Sequence, residues 1–161
     1  MPRKRKKGGK NKVPQTPLRS ELPLNEKVVA LKKKAGAAYG SSHYDEALRL
    51  FSEAILEAPT DPTLYSNRSL TYLELRNYPA AVSDAKEAIR HDNTWPRGYF
   101  RLGQAQEGLL QYQLAARAYQ QGLEVAPTDP TLLAATQQLN TLLTELKLTE
   151  QVLYTVGLII E

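Results

Sequence analysis

A strict 34-residue period constrains this chain more than any other feature. Ala47, Ala81 and Ala115 stand one period apart, and so do Tyr44, Tyr78 and Tyr112. Ala35, Ser69 and Gly103 form an earlier column of small residues, and Ala54, Ala88 and Gly122 a later one. Leu31, Tyr65 and Tyr99 stand near the start of each unit. Pro59 and Pro127 close the first and third units, with Asn93 in the equivalent place of the second. Such self-similarity means units that bury their apolar faces against their neighbours.

Each column has a physical reason. Two helices cross closely only where side chains are small, which accounts for the Ala, Ser and Gly positions. The tyrosine early in each second helix is a large amphipathic plug between hairpins. The closing proline cannot continue a helix and forces a turn. Asp61-Pro62 and Asp129-Pro130 read as an N-cap followed by proline at the first helical position, and Trp95-Pro96 opens the third unit similarly. Each unit is then a helix A, a short turn and a helix B. The pattern predicts A helices at about 27–40, 62–75 and 96–109, and B helices at about 43–57, 78–91 and 112–125.

Composition divides the chain. Of its 21 Lys and Arg, eight lie within residues 1–20, where there is no acid. The remaining thirteen face seventeen Asp and Glu, so the body is acidic although the whole chain carries a net +4. Residues 1–25 hold four prolines and a dense charge run, and are expected to be a disordered basic tail. Within it Arg3, Lys4, Arg5, Lys6 and Lys7 resemble a nuclear import signal for an import receptor. Contact with a nucleic-acid or ribosome backbone, or no specific role, are the other readings of this run. No aromatic residue interleaves it, which argues against base stacking. Cysteine is absent, so no disulfide framework or thiolate metal site exists. The chain shows no membrane-length apolar run and no secretory signal, which fits a cytoplasmic or nuclear protein.

These repeats resemble the tetratricopeptide-repeat (TPR) family over about residues 28–129. The resemblance implies an all-α, right-handed superhelix of three helical hairpins, with repeats at about 28–61, 62–95 and 96–129. Residues 130–147 have helical apolar spacing and are expected to form a C-terminal capping helix, completing a TPR domain over 26–147. Residues 148–161 form an apolar C-terminal tail that extends the cap, docks on the superhelix or lacks structure.

In the TPR family the A helices line a concave groove. Carried onto this chain, the groove positions are Val29, Lys32, Lys33, Gly36 and Tyr39, then Thr63, Ser66, Asn67, Leu70 and Leu73. The third unit adds Arg97, Phe100, Arg101, Gln104 and Glu107. A narrower resemblance is to the carboxylate-clamp TPR domains of co-chaperones, which hold the Glu-Glu-Val-Asp tail of heat-shock chaperones. It assigns Lys32, Asn67, Arg97 and Arg101 to the peptide carboxylate. Lys33, Gly36, Tyr39, Leu70, Leu73, Phe100 and Glu107 form a secondary groove. Gly36 departs from the pattern, because the family has asparagine there. Either the altered clamp still works, with Arg97 and Lys33 compensating, or the groove takes a different acidic peptide.

The resemblance therefore implies an adaptor that binds an acidic peptide C-terminus, with a heat-shock chaperone as partner. The alternative is a nuclear scaffold whose basic tail makes the contacts. Nothing points to an enzyme, a metal, a cofactor or a small-molecule substrate. The two histidines, His43 and His91, read as solvated or capping residues.

Overall fold

The computed structural model describes residues 24–155, with side chains over residues 26–150. Among the described residues there are seven helices and no strand. They are α1 (Leu24–Gly40), α2 (Tyr44–Glu57), α3 (Pro62–Glu74), α4 (Tyr78–His91), α5 (Pro96–Gly108), α6 (Tyr112–Val125) and α7 (Pro130–Thr155). Helices α1–α2, α3–α4 and α5–α6 pair as antiparallel hairpins, and each hairpin packs on the next through α2–α3 and α4–α5. This stacking is the all-α TPR superhelix that the period implies. The run of basic residues from Arg3 to Lys7 lies outside the described residues.

The small columns are the points of closest approach. Ala35, Ala47, Ala54, Ala81, Ala88 and Ala115 are all fully buried. At Gly103 an added Cβ would lie 2.2 Å from the Tyr119 ring, so the third unit needs glycine where the first has Ala35. At Gly122 it would meet Leu132 of α7 at 2.8 Å. The tyrosine column behaves as a plug: the Tyr78 ring lies against Gly108 of α5.

The column near the start of helix A has a reason the spacing alone did not reveal. The Tyr65 hydroxyl donates to the Pro59 carbonyl at 2.8 Å, and the Tyr99 hydroxyl to the Asn93 carbonyl at 3.0 Å. Each phenol reaches back six residues to satisfy a carbonyl where the previous hairpin ends. Leu31, at the same column of the first repeat, carries no hydroxyl and is simply buried.

The turns between A and B helices repeat as faithfully as the helices. Ser42, Arg76 and Leu110 take positive φ values of 61°, 55° and 60°. Behind them, His43, Asn77 and Gln111 donate their N–H groups to Ala38, Tyr72 and Gln106. That six-to-one bond closes the A helix in a Schellman turn. None of the three left-handed residues is glycine, which leaves about 1–2 kcal/mol of local strain at each.

Core chemistry changes along the superhelix. The first unit buries an apolar cluster that includes Leu31, Leu50, Phe51 and Leu64. The last buries Tyr119 with Leu132 and Leu139 of α7. The middle layer is partly polar instead. Arg68 grips Asp84 through Nε to Oδ2 at 2.7 Å and Nη2 to Oδ1 at 2.8 Å, while Nη1 reaches Ser52 at 2.9 Å. The pair joins α2, α3 and α4, and the bond to Asp84 raises the Arg68 guanidinium above its ordinary value.

Two expectations need correction. The C-terminal helix does not stop at Lys147 but continues to Thr155. The segment from Leu148 to Thr155 holds no glycine or proline to break it, and Gly157 follows. His91 is not a solvated cap: its ring stacks on Tyr65 with centroids 5.3 Å apart, and only 11% of the side chain is exposed. His43 is exposed at the α2 N-cap but makes no capping bond with its side chain.

Candidate functional site: the groove of the A helices

Groups from several helices, α1 and α3 among them, act on one residue of α5. That residue, Arg101, feels the charge or dipole of groups on four helices. They are Arg97 on its own helix, Tyr39 on α1, Glu74 on α3 and Tyr119 on α6. Burial first, and then the Arg97 charge, push the Arg101 guanidinium below its ordinary value. Its Nη1 donates to Gln104 Oε1 at 2.6 Å, and the guanidinium carbon stands 5.3 Å from the Phe100 ring centroid. Its Nε is buried without a partner.

Arg97 is exposed, with its guanidinium 5.9 Å from the centroid of the Trp95 ring. Neither arginine forms an ion pair among the described residues. Two cations one helical turn apart repel each other, and among the described residues no carboxylate pairs with either at ion-pair distance, although Glu74 acts on Arg101 from farther off. The Asn67 side-chain amide on α3 is half-buried and hydrogen-bonds to no described residue, while its backbone carbonyl accepts from Thr71 Oγ1 at 2.9 Å.

The α1 side differs. Lys32 is not a free cation: its Nζ donates to Asp61 Oδ2 at 3.1 Å and to Thr63 Oγ1 at 2.6 Å. Asp61 is itself fixed, because its Oδ1 caps α3 by accepting from the Thr63 N–H at 2.9 Å and from Thr63 Oγ1 at 2.7 Å. Burial pushes the Asp61 carboxyl up, but the bonds from Thr63 and Lys32 outweigh it and hold the group below the ordinary carboxylate range. A Cβ built on Gly36 meets nothing within 4 Å, so this glycine is not there to allow a close approach. Lys33 is exposed.

Two carboxylates of the A helices are pinned by phenols. The Tyr39 hydroxyl donates to Glu74 Oε1 at 2.9 Å. Burial and that bond push the Tyr39 phenol up to about 12. Tyr119 likewise donates to Glu107, and burial followed by that bond raises its phenol strongly. Leu70 and Leu73 of α3 and Phe100 of α5 are half-buried. Ser66, expected to face the groove, is instead fully buried.

Sequence reasoning missed the partners of these side chains. Asp61, Glu74 and Tyr119 had no place in the expected groove, although each bonds to a residue that did. One signal was available, because Lys32 and Thr63 both fall on groove positions of adjacent A helices and their side chains are complementary.

No protein-family model matches the chain. An Hsp70-Hsp90 organizing protein from Triticum aestivum is 39% identical over 103 residues, covering 64% of this chain and 18% of that protein. An Hsp70-Hsp90 organising protein from Plasmodium falciparum is 35% identical over 107 residues, covering 66% of this chain and 42% of the relative. The chain thus spans less than half the length of these curated relatives. Among solved structures, the first TPR of Spaghetti (RPAP3) bound to the HSP90 peptide SRMEEVD superposes with a TM-score of 0.69 at 25% identity. That match covers 74% of this chain and 94% of the solved one. Period, fold and these matches together make the chain a TPR domain resembling those of the Hsp70-Hsp90 organizing proteins and of RPAP3.

Proposed function

We propose that this chain is a binding module that seats an acidic peptide C-terminus in its groove, and that the Glu-Glu-Val-Asp tail of a heat-shock chaperone is its ligand. The observation that carries the reading is the half-buried Arg101 guanidinium. It has been desolvated beside a second arginine, has an orphaned Nε, and has no carboxylate within ion-pair distance. A buried cation left unpaired is costly, and an incoming carboxylate offsets that cost. Arginine presents a planar fork that matches a carboxylate, so Arg97 and Arg101 suit a ligand that ends in two such groups. Asn67 would add a neutral donor from α3.

Likeness to chaperone-organizing relatives and to a TPR domain solved with a chaperone tail supports the same ligand class. The part described here acts as an adaptor: it holds a peptide and transforms nothing. Among the described residues, no group of three or more His, Cys, Asp or Glu could hold a metal ion. No described helix is long and apolar enough to cross a membrane.

Titrating the full chain with SRMEEVD and with the same peptide amidated at its C-terminus tests the reading. The free acid should bind at least about tenfold more tightly, because a charged hydrogen bond is worth about 1.5–3 kcal/mol. Equal binding of both, or of neither, refutes it.

A further inference from the structure

We infer that Asp61 is a resident competitor for the groove's ligand: it occupies Lys32, so that the acidic terminus is read from α5 and not from α1. The inference rests on the peptide-binding reading above and concerns which wall of the groove does the binding.

Three observations carry it. First, Asp61 is immobilised, accepting three hydrogen bonds from two residues, and one of them caps a helix. It cannot swing aside without uncapping α3. Second, Lys32 spends two of its three N–H donors internally, on Asp61 and Thr63. Its charge is balanced at 3.1 Å, and a carboxylate arriving there would also face the carboxylate of Asp61. Third, among the described residues no acid pairs with the arginines of α5. The same superhelix therefore presents one neutralised cation and two available ones.

A purely structural role for the pair makes a different prediction. Helix α3 packs directly on α5, whereas α1 has no comparable backbone approach to α3. The Lys32–Asp61–Thr63 bridge could be a strut that matters only for stability. It could also hold Lys32 ready for the ligand, in which case breaking it would weaken binding.

Asp61→Asn separates these roles, because asparagine caps a helix about as well as aspartate but carries no charge. In the full chain, Asp61→Asn should tighten SRMEEVD binding by about two- to fivefold, the range of a partly exposed ion pair. The gain should disappear in the double variant Asp61→Asn/Lys32→Ala. Lys32→Ala alone should change affinity by less than about twofold. Asp61→Ser, which also keeps a capping side chain and removes the charge, should tighten binding by a similar factor and guards against a folding defect peculiar to the first variant. If the wild-type chain binds and both Asp61→Asn and Asp61→Ser bind more weakly or equally, the competitor proposal is overturned and the groove reading stands. If neither the wild type nor any variant binds the peptide, the groove reading itself has failed.

Discussion

The first and third A helices share a register and face one groove, yet they offer a ligand very different surfaces. On α1, Lys32 is tied to Asp61 and Thr63, and Gly36 leaves open space where a donor is expected. On α5, Arg97 and Arg101 form no ion pair among the described residues, and Arg101 is stripped of much of its water. The contrast teaches that the repeat fixes where a side chain points but not whether it is available. Availability is decided by the neighbouring helix, here by one carboxylate at the start of α3.

The glycines of the two helices make the same contrast in packing. Gly103 is forced by the Tyr119 ring, whereas nothing surrounds Gly36. A vacant helical glycine is a site where function or drift, not packing, has chosen the residue.

The largest effect that sharpens the comparison should come from Arg97→Ala. Removing an unopposed charged donor should weaken SRMEEVD binding by about ten- to a hundredfold in a calorimetric titration. An effect no larger than that of Lys32→Ala would erase the distinction between the walls. Next comes stability. Gly103→Ala should cost about 1–3 kcal/mol in denaturant melts, while Gly36→Ala should add about 0.5–1 kcal/mol. Equal effects at both glycines would contradict the packing described. Gly36→Asn should then restore a donor on α1 and tighten peptide binding by up to about tenfold. No gain would mean that a ligand does not approach this wall. The smallest effect concerns the phenol-bonded carboxylates Glu74 and Glu107. Changing the arginine of SRMEEVD to glutamate should cost about two- to fivefold, and Glu74→Gln should reduce that penalty.

The sequence made the repeats legible because packing is periodic. Ala47, Ala81 and Ala115 are each fully buried, and a 34-residue spacing reveals such positions without any coordinates. Helix starts were legible where chemistry is local, as at Asp61-Pro62, where the aspartate caps and the proline begins α3. The left-handed turns at Ser42, Arg76 and Leu110 were not, because no glycine marks them. Their conformation is imposed by the hairpin closing on either side. The candidate groove residues could be named from register, but their partners could not. Lys32 meets Asp61 and Arg68 meets Asp84 across helices, at separations of 29 and 16 residues that no local pattern encodes. The end of α7 was left open because the stretch after Lys147 is apolar enough to extend the cap or to dock elsewhere, and the helix runs on to Thr155.

The central claim is that the ligand's carboxylates are held from α5 and that α1 is silenced. One titration series tests it most directly: SRMEEVD against the wild-type chain, Lys32→Ala and Arg101→Ala, with melting curves to confirm that all three are folded. The account predicts that Lys32→Ala binds within about twofold of wild type, while Arg101→Ala loses about ten- to a hundredfold. Comparable losses in both variants, or the greater loss in Lys32→Ala, would contradict it.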